Sequence, residues 1–135
     1  MALNGVNSTN TVTINGMGVG MDTIAATGNI AFTFDNAQYI TFQNVSISAP
    51  AADRVLWFTN GSHHITIDNC DILGNTVTTS GVSAAVSSSG STTSLTQTGD
   101  NAHFITISNC KIAGGYYRLS FYGGATTRYN NNLAV

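Results

Sequence analysis

One eight-residue phrase returns three times in this chain, and its recurrence limits the fold more than any other feature. The copies are Ile40-Thr41-Phe42-Gln43-Asn44-Val45-Ser46-Ile47, Ile65-Thr66-Ile67-Asp68-Asn69-Cys70-Asp71-Ile72 and Ile105-Thr106-Ile107-Ser108-Asn109-Cys110-Lys111-Ile112. Each copy has two alternating strand steps, an Asn, and two more alternating steps. Alternation of this kind makes a strand with one buried face. Asn at the same place in every copy marks a bend, because Asn tolerates left-handed backbone angles and bonds the backbone locally. A unit that cannot bury its own face, repeated along the chain, is a solenoid.

The rest of the chain can be laid over these copies. A weaker copy sits early, at Val12-Thr13-Ile14-Asn15-Gly16. Strand patterns also run over 30–34, 54–59, 81–86 and 117–122, and a low-complexity stretch covers 87–100. Each rung therefore reads as a first strand, a turn, a second strand, an Asn bend and a short third strand. The first two copies are 25 positions apart and the next two are 40 apart, the excess falling mostly in 87–100. Loops absorb insertions at little cost, so the repeat survives. The expected fold is an all-β, single parallel β-helix domain over 1–135, of four to five rungs, with a loop insertion near 87–100. Its core columns would be Ile40/Ile65/Ile105, Phe42/Ile67/Ile107, Val45/Cys70/Cys110 and Ile47/Ile72/Ile112. Asn44, Asn69 and Asn109 would form a ladder of side-chain amides at the bend. Cys70 and Cys110 would stack inward. Buried thiols behave as small hydrophobes, and in-register parallel neighbours offer poor bridging geometry, so the sequence favours free thiols over a disulfide.

Composition agrees with an all-β reading. Only 7% of residues are charged, against about 25% in an average protein. Ser, Thr and Asn make up 47 of the 135 residues, and Glu is absent. The Thr, Val, Ile and Phe that remain suit strands rather than helices. A net charge of −2 is too small to steer nucleic acid or an anionic membrane. No window approaches the roughly 20 apolar residues that span a bilayer. The start, Met1-Ala2-Leu3-Asn4-Gly5, has neither the basic segment nor the apolar run of a signal peptide. Yet a Ser/Thr/Asn/Gly-rich chain with so little charge has the character of an exported protein. The reading that reconciles the two is a piece of a longer extracellular or cell-surface protein, its last residues, 132–135, entering another strand.

Three elements carry a resemblance: the Asn-Cys bend in Ile-Asp-Asn-Cys-Asp-Ile and Ile-Ser-Asn-Cys-Lys-Ile, the Phe-Thr-Asn-Gly-Ser lead-in at 58–62, and the Thr-Gly-Asp-Asn lead-in at 98–101. Over roughly residues 30–125 the chain resembles the large secreted right-handed β-helix repeat proteins of gliding and gut-type bacteria, within the pectin-lyase-like superfold. The resemblance implies a right-handed solenoid, a parent longer than this chain, and a superfold that hosts lyases, hydrolases, adhesins and passive stalks.

Candidate chemistry is sparse. Glycoside hydrolysis needs two carboxylates about 5–10 Å apart. The acids here, Asp22, Asp35, Asp53, Asp68, Asp71 and Asp100, are scattered, and the closest two are separated by the Asn bend. No catalytic residue is assigned. His63 and His103 share a column with Gln38, and His64 adjoins His63, but no fixed third ligand accompanies them, so no metal or cofactor is expected. The Thr41/Thr66/Thr106 column is flanked too irregularly for ice binding, by Tyr39, His64 and Phe104 on one side and Gln43, Asp68 and Ser108 on the other. The most suggestive set is Arg54, Trp57, Tyr117, Arg118 and Tyr122, which would line up as an exposed strip. Aromatic rings stack on sugar faces and Arg reads hydroxyls or carboxylates. The alternative is that Trp57 lies under a loop and the tyrosines cap the last rung.

These observations lead to one principal expectation, a non-catalytic extracellular β-helix segment serving as a stalk or adhesive surface with affinity for polysaccharide. A fragment of a polysaccharide lyase or glycoside hydrolase is the enzymatic alternative. Self-association through uncapped strand edges is the third reading.

Overall fold

A computed structural model describes residues 6–99, 101–123 and 134. In chain order the strands are β1 (Val12–Asn15), β2 (Thr23–Ala25), β3 (Ile30–Asp35), β4 (Gln38–Gln43), β5 (Ser46–Ser48), β6 (Arg54–Thr59), β7 (Ser62–Asp68), β8 (Asp71–Leu73), β9 (Ala84–Ser88), β10 (Ala102–Ser108), β11 (Lys111–Ala113) and β12 (Tyr117–Phe121). They form three four-stranded sheets, β1-β4-β7-β10, β2-β5-β8-β11 and β3-β6-β9-β12. Every pairing is parallel, so each third strand returns to the same sheet one layer on. The chain is a parallel β-helix of about four rungs, and no helix occurs among the described residues.

The columns expected from the repeat are the observed register. Ile40, Ile65 and Ile105 are partners, as are Phe42, Ile67 and Ile107, and Ile47, Ile72 and Ile112. Val12 and Ile14 extend the first two columns by one layer. In the third sheet Phe34 stacks on Phe58 at 4.8 Å between ring centroids, and Phe121 reaches Phe58 at 6.1 Å. Burying one such aliphatic or aromatic side chain contributes about 1.5–3 kcal/mol, and this is what closes the tube.

The corners explain why Asn recurs. Asn44, Asn69 and Asn109 have φ of 57°, 49° and 54°, the left-handed conformation that turns the second sheet-strand of each rung into the third. Asn36 and Asn60, at 49° and 53°, turn the first into the second.

Two expectations need correction, the extent of the amide ladder and the start of the insertion. The amide ladder begins one layer earlier than expected and ends one layer sooner. Asn44 Nδ2 donates to Asn15 Oδ1 at 2.8 Å and Asn69 Nδ2 to Asn44 Oδ1 at 2.7 Å, but Asn109 Nδ2 donates to Asp68 Oδ1 at 2.9 Å. Ser108 Oγ joins it there at 2.7 Å. A carboxylate is a stronger acceptor than an amide oxygen, so Asp68 diverts the ladder. Strand β9 runs to Ser88, with Ser87 and Ser88 buried, so the insertion begins after Ser88 rather than at 87. The three-residue β2 carries too short an alternation to be read in advance. The column Val45/Cys70/Cys110 is inward as expected: Val45 and Cys70 are buried, and Cys110, in the outermost described layer of its column, is half-buried and packs against the same core. Both thiols are free. Cys70 Sγ donates to Asp68 O at 3.2 Å and Cys110 Sγ to Ser108 O at 3.1 Å, and the interaction between the neighbouring thiols lowers Cys70 and raises Cys110. At the far end of the first sheet, Ala134 pairs in parallel with Thr106, its N–H donating to Ile105 O at 2.9 Å and its carbonyl accepting from Ile107 N at 2.8 Å. The neighbouring residues of the expected final strand, 132, 133 and 135, lie outside the described residues.

Candidate functional site

The five residues expected to form one exposed strip are divided between two places. Arg54 and Trp57, both on β6, are buried, at 0% and 9% exposure. The segment 89–99, which joins β9 to β10, covers them. Trp57 Nε1 donates to Ser89 O at 2.8 Å, and Arg54 donates from Nη1 to Ser91 O at 2.5 Å and from Nη2 to Ser94 O at 3.0 Å. The guanidinium also lies 5.5 Å from the centre of the Trp57 ring. Trp57 thus lies under a loop, as the alternative reading had it, and Arg54, for which that reading had no place, lies under the same loop. The reason is local: a Ser/Thr-rich insertion supplies carbonyl oxygens just where β6 presents its longest donors.

Tyr117 and Arg118 are exposed on β12. Ala84 separates Tyr117 from Arg54 in the register, so no continuous strip forms. Tyr122 follows β12, half-buried, and its carbonyl accepts from Asn101 Nδ2 at 2.7 Å. Tyr117 is instead paired with Tyr116, a residue the sequence reading did not assign. Their rings are 4.9 Å apart and inclined at 73°, edge to face, with Tyr116 56% exposed and Tyr117 47% exposed. They sit with Arg118 along an open cleft of about 670 Å³ that Thr76, Ala113, Gly114 and Gly115 complete. Gly114 and Gly115 form the corner between β11 and β12 with φ of 87° and 76°, angles that favour glycine. A side chain at Gly115 would stand 2.5 Å from Tyr117 O and 2.7 Å from Ala85 N. The Gly-Gly-Tyr-Tyr run was the available signal: two residues free of side chains, then two rings that must leave the turn together.

A second ring cluster lies on the first sheet. Tyr39, His64 and Phe104 occupy one column, with Tyr39 and His64 stacked at 4.7 Å and His64 and Phe104 at 4.6 Å. Their φ values are 52°, 53° and 50°, unusual for residues of this bulk. Each such residue costs about 1–3 kcal/mol, and stacking at about 0.5–1.5 kcal/mol per pair offsets part of it. The left-handed residue lets His63 and His64 both project from the sheet between buried Ser62 and Ile65. Their Nδ1 atoms are 2.8 Å apart, so one ring donates and the other accepts. Burial first, then His64 and His103, hold His63 below the ordinary imidazole value. The recurrence of a ring just before each repeated Ile carried this information, though the sequence reading took those positions only as flanks of the Thr column. Stacked rings offer their edges outward, which makes this column a poorer sugar platform than the cleft.

Three of the carboxylates are engaged in shaping corners. Asp22 Oδ2 accepts from Met17 N at 2.5 Å, Asp35 Oδ1 accepts from Asn60 Nδ2 at 2.7 Å, and Asp68 holds Ser108 and Asn109. Among the described residues no three His, Cys, Asp or Glu side chains form a group able to hold a metal ion. Against this geometry, no family model, curated protein or solved structure matches the chain.

Proposed function

We propose that this chain is a non-catalytic segment of an extracellular or cell-surface β-helix of the pectin-lyase-like kind, a rigid stalk that contacts polysaccharide at the corner between β11 and β12. The observation that carries this reading is the pair of exposed, mutually perpendicular tyrosines next to Arg118, along an open cleft. Flat rings held at an angle grip a sugar from two sides, and a neighbouring guanidinium supplies donors for its oxygens. The Gly114–Gly115 corner and the paired strand behind it fix the rings before any ligand arrives, which lowers the ordering cost of binding.

A panel of soluble and immobilised glycans tests the reading. At least one is expected to bind, with affinity reduced about tenfold or more in Tyr116→Ala and in Tyr117→Ala, a loss of about 1.4 kcal/mol. Arg118→Ala is expected to weaken the same ligand. Binding to no glycan, or binding indifferent to all three substitutions, removes the proposal.

A further inference from the structure

We propose that segment 89–99 is a displaceable cover over a second ligand site, built on Arg54, Trp57 and Ser87, which takes a polyhydroxylated ligand of the glycan class. The ligand class rests on the polysaccharide reading above; the site does not.

The first observation is whose atoms satisfy the buried donors. Arg54 Nη1, Arg54 Nη2 and Trp57 Nε1 donate to Ser91 O, Ser94 O and Ser89 O, all main-chain carbonyls of the one covering segment. Such oxygens stand where the hydroxyl and ring oxygens of a sugar would stand. The second observation is what the cover leaves unmet. Arg54 Nε and Ser87 Oγ are buried without a partner. Ser87 is the register partner of Trp57, and the Arg54 guanidinium lies over the Trp57 ring, so these unmet atoms flank the same indole. A polar group buried without a partner forfeits its hydration and gains nothing in return. A ligand with hydroxyls, able to donate and accept, would satisfy a donor and a hydroxyl that carbonyls at these places do not.

The third observation is how lightly the cover is tied. Leu95, 5% exposed, and Ser89 at the root of the segment, 0% exposed, are its two buried side chains, while Thr92, Thr93, Thr96, Gln97 and Thr98 are exposed. Its main-chain bonds to the solenoid fall at its ends, from Ser89 N to Phe58 O and from Gly99 N to Gly123 O. Gly90 N donates to Gln97 O, closing the segment on itself, and Ser/Thr hydroxyl contacts within it are local. The segment therefore holds its own shape and can leave as a unit, at the cost of the Leu95 and Ser89 contacts, the three carbonyl bonds and the two main-chain bonds at its ends. While it is in place, the apparent affinity of the site is reduced by the fraction of molecules that are open.

Trp57 is the only tryptophan, so its fluorescence reads the cover directly. In the whole chain, Leu95→Ser is expected to raise acrylamide quenching of Trp57 about threefold or more and to tighten glycan binding about fivefold or more, with a shift in Trp57 emission on binding. Should Leu95→Ser not fold, a variant with residues 91–96 replaced by two glycines takes its place. Binding that persists when Tyr116→Ala and Tyr117→Ala are added confirms a site separate from the corner. Two results overturn the inference: quenching that stays low in both folded opening variants, or an opened Trp57 whose emission no glycan alters. Inorganic phosphate shifting the emission where glycans fail overturns the ligand class. The corner proposal is judged apart from these, by wild-type binding and its loss in the tyrosine variants.

Discussion

Asn44 combines two jobs in one side chain: it accepts a left-handed backbone, and its amide links the layers on either side. Glycine keeps the first job and loses the second. Asn44→Gly is therefore expected to destabilise by the two exposed amide bonds alone, and Asn44→Ala by about 1 kcal/mol more, the penalty for a side chain at positive φ. Denaturant unfolding of the pair separates the two contributions. Asp68 makes a pH prediction. Hydrogen bonds from Ser108, then Asn109, hold its carboxyl below the usual carboxylate range. A lowered folded value means that the stabilisation is present above the unfolded value of about 3.9 and is lost as pH falls through the folded one. Thermal melts should thus decline more steeply below about pH 4 in the wild type than in Asp68→Asn. The bend was legible at this scale because Asn is chosen for its backbone, and the repeat displays that choice. The ladder's last partner was not, because Asn69 and Asp68 stand side by side and only distance decides between them. Nor was the burial of Arg54: an Arg beside a Trp has the same letters whether it faces solvent or a loop.

The corner between β11 and β12 is the element on which the proposed binding depends. Gly115→Ala would put a methyl group against Tyr117 O and the Ala85 amide at a φ of 76°. It is expected to cost about 1–3 kcal/mol in equilibrium unfolding and to weaken glycan binding by displacing the Tyr116–Tyr117 pair. Binding left intact in a folded Gly115→Ala chain would mean that the rings are not positioned by the turn. The long strands were legible wherever alternation ran for five residues or more. The Tyr39/His64/Phe104 column was visible as letters and hidden as geometry, because strict period-two alternation assigns one outward residue where a left-handed residue provides two. β2 was lost for want of length: three residues hold a single inward side chain, Ile24, and one point has no period.

Across the molecule, stability should follow position in the stack. Ile67 is fully buried between Phe42 and Ile107, whereas Ile14 lies at the end of its column and is 37% exposed. Ile67→Ala is expected to cost about 2–5 kcal/mol and Ile14→Ala distinctly less, since a terminal layer has a neighbour on one side. Calorimetry of both variants checks the gradient; equal losses would mean that the layers do not act as nearest neighbours. The architecture was the most legible level, because a column needs only that the same residue class recur, and the repeat says so three times. The role of 89–99 was the least legible, since its low complexity has no period at all. Yet β10 meets β7 at one constant offset from Ser62 to Asp68, although this segment intervenes between β9 and β10. Sequence carried at that one junction can lengthen, shorten or change its chemistry while the spine goes unaltered, so what the molecule displays there is uncoupled from what holds it up.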